Sequence, residues 1–212
     1  MTVAAVAGFQ PSLFDEATVG LGALAGRVRR TSLGSGAWVD VLSGWFAGAD
    51  QVFPTLVEEV PWRAERREMY DRVVDVPRLV HTFGIGDALP HPALTEAREA
   101  LSSYYAGELG EPFVTAGCCF YRDGADSVAW HGDNIGRGRR HDTIVAIVSF
   151  GSPRKLALRP RGGHTERSFA LGHGDLIVMG GSCQRTWEHA VPKTDRVVGP
   201  RISVQFRPRN VF

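Results

Sequence analysis

His131 and Asp133 stand two residues apart. In an extended strand that spacing puts both side chains on one face, where they can grip one ion together. A third ligand must come from a distant part of the chain, and His189 supplies it in Trp187-Glu188-His189-Ala190-Val191-Pro192. The pattern is His-x-Asp, 55 intervening residues, then His. Two imidazoles and a carboxylate on one face of an octahedron leave three positions open, as in non-haem Fe(II) oxygenases, so the pattern points to chemistry on the metal. His141, His164 and His173 compete for the same role on residue type alone.

About a dozen residues beyond His189 lies Arg201-Ile202-Ser203-Val204-Gln205-Phe206-Arg207. As a strand it turns Arg201, Ser203, Gln205 and Arg207 to one face. A guanidinium taken out of water needs a planar anionic partner, and a dicarboxylate cosubstrate is one solution. Tyr121 and Cys119 likewise share a face on an earlier predicted strand.

These groups require a scaffold of strands. From Phe113 onward, short runs rich in β-branched and aromatic residues alternate with Gly and Pro: 113–121, 127–131, 143–150, 155–159, 167–171, 175–179, 188–191 and 201–206. Eight such runs suit a sandwich or jelly roll, which holds a small ligand between its sheets. Ahead of them, apolar spacing predicts helices over 48–60 and 91–109. The expected class is mainly β with α, an α+β jelly roll buttressed by N-terminal helices. One domain is expected over 1–212, with an extension and lid over 1–110 and the catalytic core over 111–212.

The composition fits a globular domain: 43% hydrophobic and 22% charged residues, with net charge +1. Residues 1–120 carry 9 basic and 15 acidic side chains, residues 121–212 15 and 8, so the second half is suited to an anionic partner. The arginines of the loop Arg137, Arg139 and Arg140, just past the first ligand pair, are candidates to hold phosphates. Three cysteines without CxxC spacing argue against a disulfide scaffold or a structural zinc site, and Cys183 reads as loop filler. No apolar run approaches the roughly 18 residues of a membrane span, and the N-terminus lacks a basic n-region. A cytoplasmic monomer is expected.

Taken together, the chain resembles the AlkB family of Fe(II)- and 2-oxoglutarate-dependent dioxygenases, which oxidatively dealkylate nucleic acids. The resemblance runs through Phe9-Gln10-Pro11-Ser12-Leu13-Phe14, Val60-Pro61-Trp62 and Val76-Pro77-Arg78-Leu79. It is strongest from Tyr121-Arg122-Asp123-Gly124-Ala125-Asp126 through His131-Gly132-Asp133, and continues along Gly174-Asp175-Leu176-Ile177-Val178-Met179-Gly180-Gly181 and Trp187-Glu188-His189 to the last strand. It implies a double-stranded β-helix and a cosubstrate pair of 2-oxoglutarate and O2. His131, Asp133 and His189 become the Fe(II) ligands, Arg201 the partner of the distal carboxylate, Tyr121 a hydrogen-bond donor to the cosubstrate, and Arg207 a neighbour of its metal-binding end and of the substrate base.

Three positions depart from the family pattern. Cys119 and Ser203 stand where relatives have Asn, and Ile135 stands where relatives often have an acidic residue that contacts the damaged base. The segment Gly84-Ile85-Gly86-Asp87 is shorter than the aromatic lid of relatives, which leaves Trp62, His81 and Phe83 as candidate base contacts. The implied reaction is oxidative demethylation of bases of the 1-methyladenine and 3-methylcytosine type in DNA, with RNA as a further nucleic-acid partner. The alternative reading is a 2-oxoglutarate oxygenase acting on a protein or small molecule.

Overall fold

A computed structural model describes residues 18–69 and 72–212, with side chains excepted over 66–75; the Phe9–Phe14 motif lies outside the described residues. In chain order the strands are β1 (Gly20–Leu21), β2 (Arg29–Gly34), β3 (Ala37–Leu42), β4 (Phe46–Ala47), β5 (Arg63–Met69), β6 (Arg72–Phe83), β7 (Thr115–Tyr121), β8 (Val128–His131), β9 (Val145–Gly151), β10 (Arg154–Pro160), β11 (Arg167–Leu171), β12 (Leu176–Gly181), β13 (Trp187–Val191) and β14 (Arg201–Arg207). The helices are α1 (Ala49–Glu59), α2 (Pro92–Tyr104), α3 (Ala106–Leu109) and α4 (Cys183–Thr186).

The strands form a major sheet in the order β2-β3-β12-β9-β14-β7-β6-β5 and a minor sheet in the order β11-β10-β13-β8. The eight strands expected after Phe113 are all present, four in the centre of the major sheet and four in the minor sheet. Alternation along β9 explains why its sequence is apolar throughout. Val145 and Ile147 face the minor sheet, packing with Leu156, Leu158, Trp187 and Val191. Ala146, Val148 and Phe150 face the other way, into a core with Val52, Phe53 and Leu56 of α1 and Leu94, Ala97 and Leu101 of α2. A strand covered on both faces has no polar side to show.

The first hundred residues depart from expectation. Apolar spacing predicts only helices ahead of Phe113, yet six strands form there, and two hairpins extend the major sheet, one at each edge. The expected helix over 91–109 is broken at Tyr105 into α2 and α3, because the Tyr105 hydroxyl donates to the buried Asp40 carboxylate at 2.9 Å and its ring stacks on Trp38. Cys183 is not loop filler: it opens α4 and is buried in the core between the sheets.

Trp38 pairs directly with Gly180 across β3 and β12, and a Cβ on Gly180 would meet its ring at 2.1 Å. Gly180→Ala therefore overpacks the sheet, and a loss of about 1–3 kcal/mol is expected in chemical denaturation. An unchanged midpoint would show that Trp38 yields freely.

Candidate active site

Strand register assembles the metal ligands. His189 on β13 and His131 at the end of β8 are direct antiparallel partners, which brings their ring centroids to 4.2 Å. Asp133 follows two residues later, and the ligand atoms of all three lie within 4.8 Å of one another. His131 Nδ1 sits 2.8 Å from the Ala129 carbonyl oxygen. A carbonyl can only accept, so Nδ1 carries the proton and Nε2 keeps its lone pair for a cation.

The electrostatics suit the same purpose. Burial pulls the His189 imidazole down to about 3, helped by His131, so the ring is neutral and ready to ligate across the physiological range. Burial pushes the Asp133 carboxyl up, but the charge and hydrogen bond of Arg207, together with the two imidazoles, outweigh it and hold the group well below the usual carboxylate range. Asp133 is fixed from two sides: Arg207 Nε donates to its Oδ2 at 2.7 Å, and its backbone N–H donates to Gln184 Oε1 at 2.9 Å. Its Oδ1 is left facing His131 Nε2 at 3.8 Å.

The face of β14 predicted from spacing is built as four rungs against β7: Arg201 opposite Tyr121, Ser203 opposite Cys119, Gln205 opposite Gly117 and Arg207 opposite Thr115. A cleft of about 720 Å³ runs over the outer rungs and the metal ligands, lined among others by Thr115, Gly117, Cys119, His131, Asp133 and Arg207. Arg201 and Tyr121 lie beneath its wall rather than on it. Arg201 is 2% exposed and donates through Nε to Ser149 Oγ at 2.9 Å, with the Tyr121 ring 5.2 Å away. Its Nη1 is buried without any partner, and among the described residues no carboxylate lies within 4.0 Å of it. Burial pulls the guanidinium's pKa down. A buried cation lacking an anion fits a ligand that brings its own carboxylate.

Gly117 is what lets Arg207 lie across the sheet, since a Cβ there would meet Arg207 Nη1 at 2.5 Å and Gln205 Oε1 at 2.9 Å. Both contacts are ends of flexible side chains, so Gly117→Ala is expected to fold normally and to lose about 10–100-fold in turnover, as removal of an outer-shell partner does. Turnover within twofold of wild type would show that the grip of Arg207 on Asp133 is not needed.

Other expected residues are placed differently. His81 and Phe83 pair with Cys118 and Ala116, which puts them on the helix side of the sheet, where their rings meet edge-on at 4.6 Å. Trp62 packs on Phe120 and donates to the Leu56 and Val57 carbonyls. Trp62 and Phe83 pack on the helix side and are not among the cleft's lining residues, whereas His81 is one of them. Arg137 is ion-paired with Glu111, which makes it a staple rather than a free phosphate ligand, while Arg139 and Arg140 are exposed outside the cleft. Ile135 does line the cleft, at 68% exposure. His141 and His164 are exposed, and His173 accepts from Gly151 N–H and faces Asp50 at 2.9 Å, so none competes for the metal. Ser203 accepts from Gln205 Nε2 at 2.6 Å.

Sequence reasoning missed Gln184, Ser149 and Arg78. Arg78 Nε donates to Cys119 Sγ at 3.4 Å from within the cleft. No sequence signal placed Arg78, because the face of β6 is ambiguous without its register.

Comparison with known proteins agrees with this geometry. The chain is 32% identical over 178 residues to alpha-ketoglutarate-dependent dioxygenase alkB homolog 3 of Bos taurus, covering 75% of this chain and 61% of that protein. It is 28% identical over 181 residues to the DNA oxidative demethylase ALKBH2 of Homo sapiens, covering 76% and 69%. The chain thus spans about 61% of the length of the first of these relatives. A 2OG-Fe(II) oxygenase family oxidoreductase from Burkholderia pseudomallei superposes with a TM-score of 0.55 at 12% identity, over 80% of this chain and 84% of that one, a likeness of fold. Residues 86–207, which carry the three ligands and both arginines of the last strand, match the 2OG-Fe(II) oxygenase superfamily, and the chain belongs to it.

Proposed function

We propose that the chain is an Fe(II)- and 2-oxoglutarate-dependent dioxygenase that removes alkyl groups from nucleic-acid bases. The observation that carries the reading is the pairing of a possible metal triad beside the minor sheet with the buried Arg201 guanidinium of the major sheet, whose Nη1 has no partner. His131, Asp133 and His189 would hold the iron, and Arg201 with Tyr121 would hold the far carboxylate of the cosubstrate. When bound, iron with 2-oxoglutarate and O2 supplies the oxidising power that hydroxylates the alkyl carbon, with succinate and CO2 as co-products. The hydroxylated adduct releases an aldehyde and leaves the base intact.

The protein's own part is geometric. Arg207 and Gln184 fix Asp133, and the Ala129 carbonyl fixes His131. The target base has to leave the stack or come from a single strand, at a cost of a few kcal/mol that damage lowers. The homology to alkB homolog 3 and ALKBH2 supports a nucleic-acid substrate. The test is incubation with Fe(II), 2-oxoglutarate and oligonucleotides bearing 1-methyladenine, 3-methylcytosine or etheno bases, read by mass. Loss of the alkyl carbon from any of them is the expected result. Succinate formation without repair of any oligonucleotide would favour a protein or small-molecule substrate instead.

A further inference from the structure

Arg78, Arg201 and Arg207 bring three guanidiniums to the ligand face of the major sheet, and of these Arg207 alone meets a carboxylate, that of Asp133, among the described residues. Arg78 reaches this face from β6. Val80 pairs with Cys119, so Arg78, two residues earlier, lies on the same side as Cys119 and Tyr121 and lines the cleft. Its guanidinium is held beside Cys119: Nε donates to Cys119 Sγ at 3.4 Å and Nη1 to the Ser127 carbonyl at 3.2 Å. The Ser127 N–H donates in turn to the Pro77 carbonyl at 2.7 Å, which ties the arginine's own backbone to the same point. A thiol and a carbonyl orient the group without neutralising it, and among the described residues Nη2 makes no hydrogen bond. Glu65 lines the same cleft and acts on Arg78 electrostatically. Arg154, behind Tyr121, is different. It donates to the carbonyls of Asp123, Asp126 and Pro192 and does not line the cleft.

We propose that Arg78 is a cosubstrate-binding residue, the second guanidinium after Arg201 that the bound diacid meets. The proposal rests on the cosubstrate part of the reading above and not on the identity of the substrate. Cys119 stands on the strip next to the Arg201 and Tyr121 rung, and a thiol is a weak donor. Arg78 reaches over that position with a charged fork that matches a planar carboxylate. Because Cys119 and Ser127 already hold the fork, little ordering is left for binding to impose. A phosphate contact belongs further out, where the exposed Lys193 stands at the cleft's rim.

The experiment is calorimetric titration of 2-oxoglutarate into the full chain loaded with Mn(II) under argon, in wild type, Arg78→Lys and Arg78→Gln. Both variants keep a long side chain with a donor for the Ser127 carbonyl, and only the lysine keeps the charge. Arg78→Gln is expected to weaken 2-oxoglutarate binding by about tenfold or more, the scale of one hydrogen bond to a charged group, and Arg78→Lys by much less. Affinity for Mn(II) and for a single-stranded oligonucleotide is expected to be unchanged in both. A role as a strap between β6 and β8 predicts the same 2-oxoglutarate affinity for lysine and glutamine, and that result overturns the proposal. So does Arg78→Gln that loses oligonucleotide affinity while binding 2-oxoglutarate as wild type does, which makes Arg78 a phosphate contact. A wild type that binds no 2-oxoglutarate overturns the cosubstrate reading itself.

Discussion

Replacing His189 by alanine is expected to remove metal-dependent turnover, by much more than the roughly 10–100-fold that follows loss of an outer-shell partner. Two ligands remain, two residues apart in sequence. Without the third corner that His189 provides from across the strand pair, His131 and Asp133 cannot define one face of an octahedron. Burial already keeps His189 neutral, so wild type binds metal there without expelling a proton. Fe(II) titration under argon and succinate release from 2-oxoglutarate measure the effect. Succinate release within tenfold of wild type would sink the assignment and send the search for a third ligand elsewhere. The sheet itself should survive, because β13 is held to β10 and β8 by backbone hydrogen bonds that the side chain does not make.

The same register decides what could be read in advance. The strands after Phe113 were legible because runs of β-branched and aromatic residues alternate there with Gly and Pro, and the parity of the last strand placed Arg201, Ser203, Gln205 and Arg207 on one face. β5 and β6 were not legible. The first is Arg63-Ala64-Glu65-Arg66-Arg67-Glu68-Met69, a charged run without alternation, and the second carries Pro77 in its interior. That proline is tolerated because the pairing slips between Ala64 and Arg66, opposite the Asp75–Leu79 stretch, so no ladder bond is lost. With the hairpin unseen, nothing indicated that His81 and Phe83 share the helix side with Phe120 while Arg78 and Val80 share the cleft side with Cys119. The pair His131 and Asp133 was legible from spacing, whereas His189 was set apart from His141, His164 and His173 by the register that pairs it with His131. Gln184 was not, because its role comes from a short helix folding back on the Asp133 backbone, a contact 51 residues long in sequence.

Arg201→Met is expected to separate binding from stability in opposite directions. In most proteins, deleting a fully buried arginine is costly because it strands a carboxylate. Among the described residues it strands only the neutral hydroxyls of Ser149 and Tyr121 and no carboxylate, while Nη1 has no partner to lose. Burial and the nearby Arg154 charge both weigh against the charged guanidinium, so an unbranched apolar side chain of similar length removes an uncompensated cost. Without ligand, the melting temperature should stay level or rise. Binding of 2-oxoglutarate, by contrast, loses its buried countercharge, a truncation worth roughly 2–5 kcal/mol, or about 30-fold to several thousandfold in affinity. The two effects meet in one experiment, a thermal melt with a redox-silent divalent metal and increasing 2-oxoglutarate. Wild type should gain about 2.7 kcal/mol of stability at a ligand concentration 100 times Kd. The variant should start level or higher and gain less than about 1 kcal/mol at that concentration. A variant that melts well below wild type yet responds fully to 2-oxoglutarate would mean that Arg201 is a structural cation, and that the cosubstrate's far carboxylate is held by another group, of which Arg78 in the cleft is the first to test.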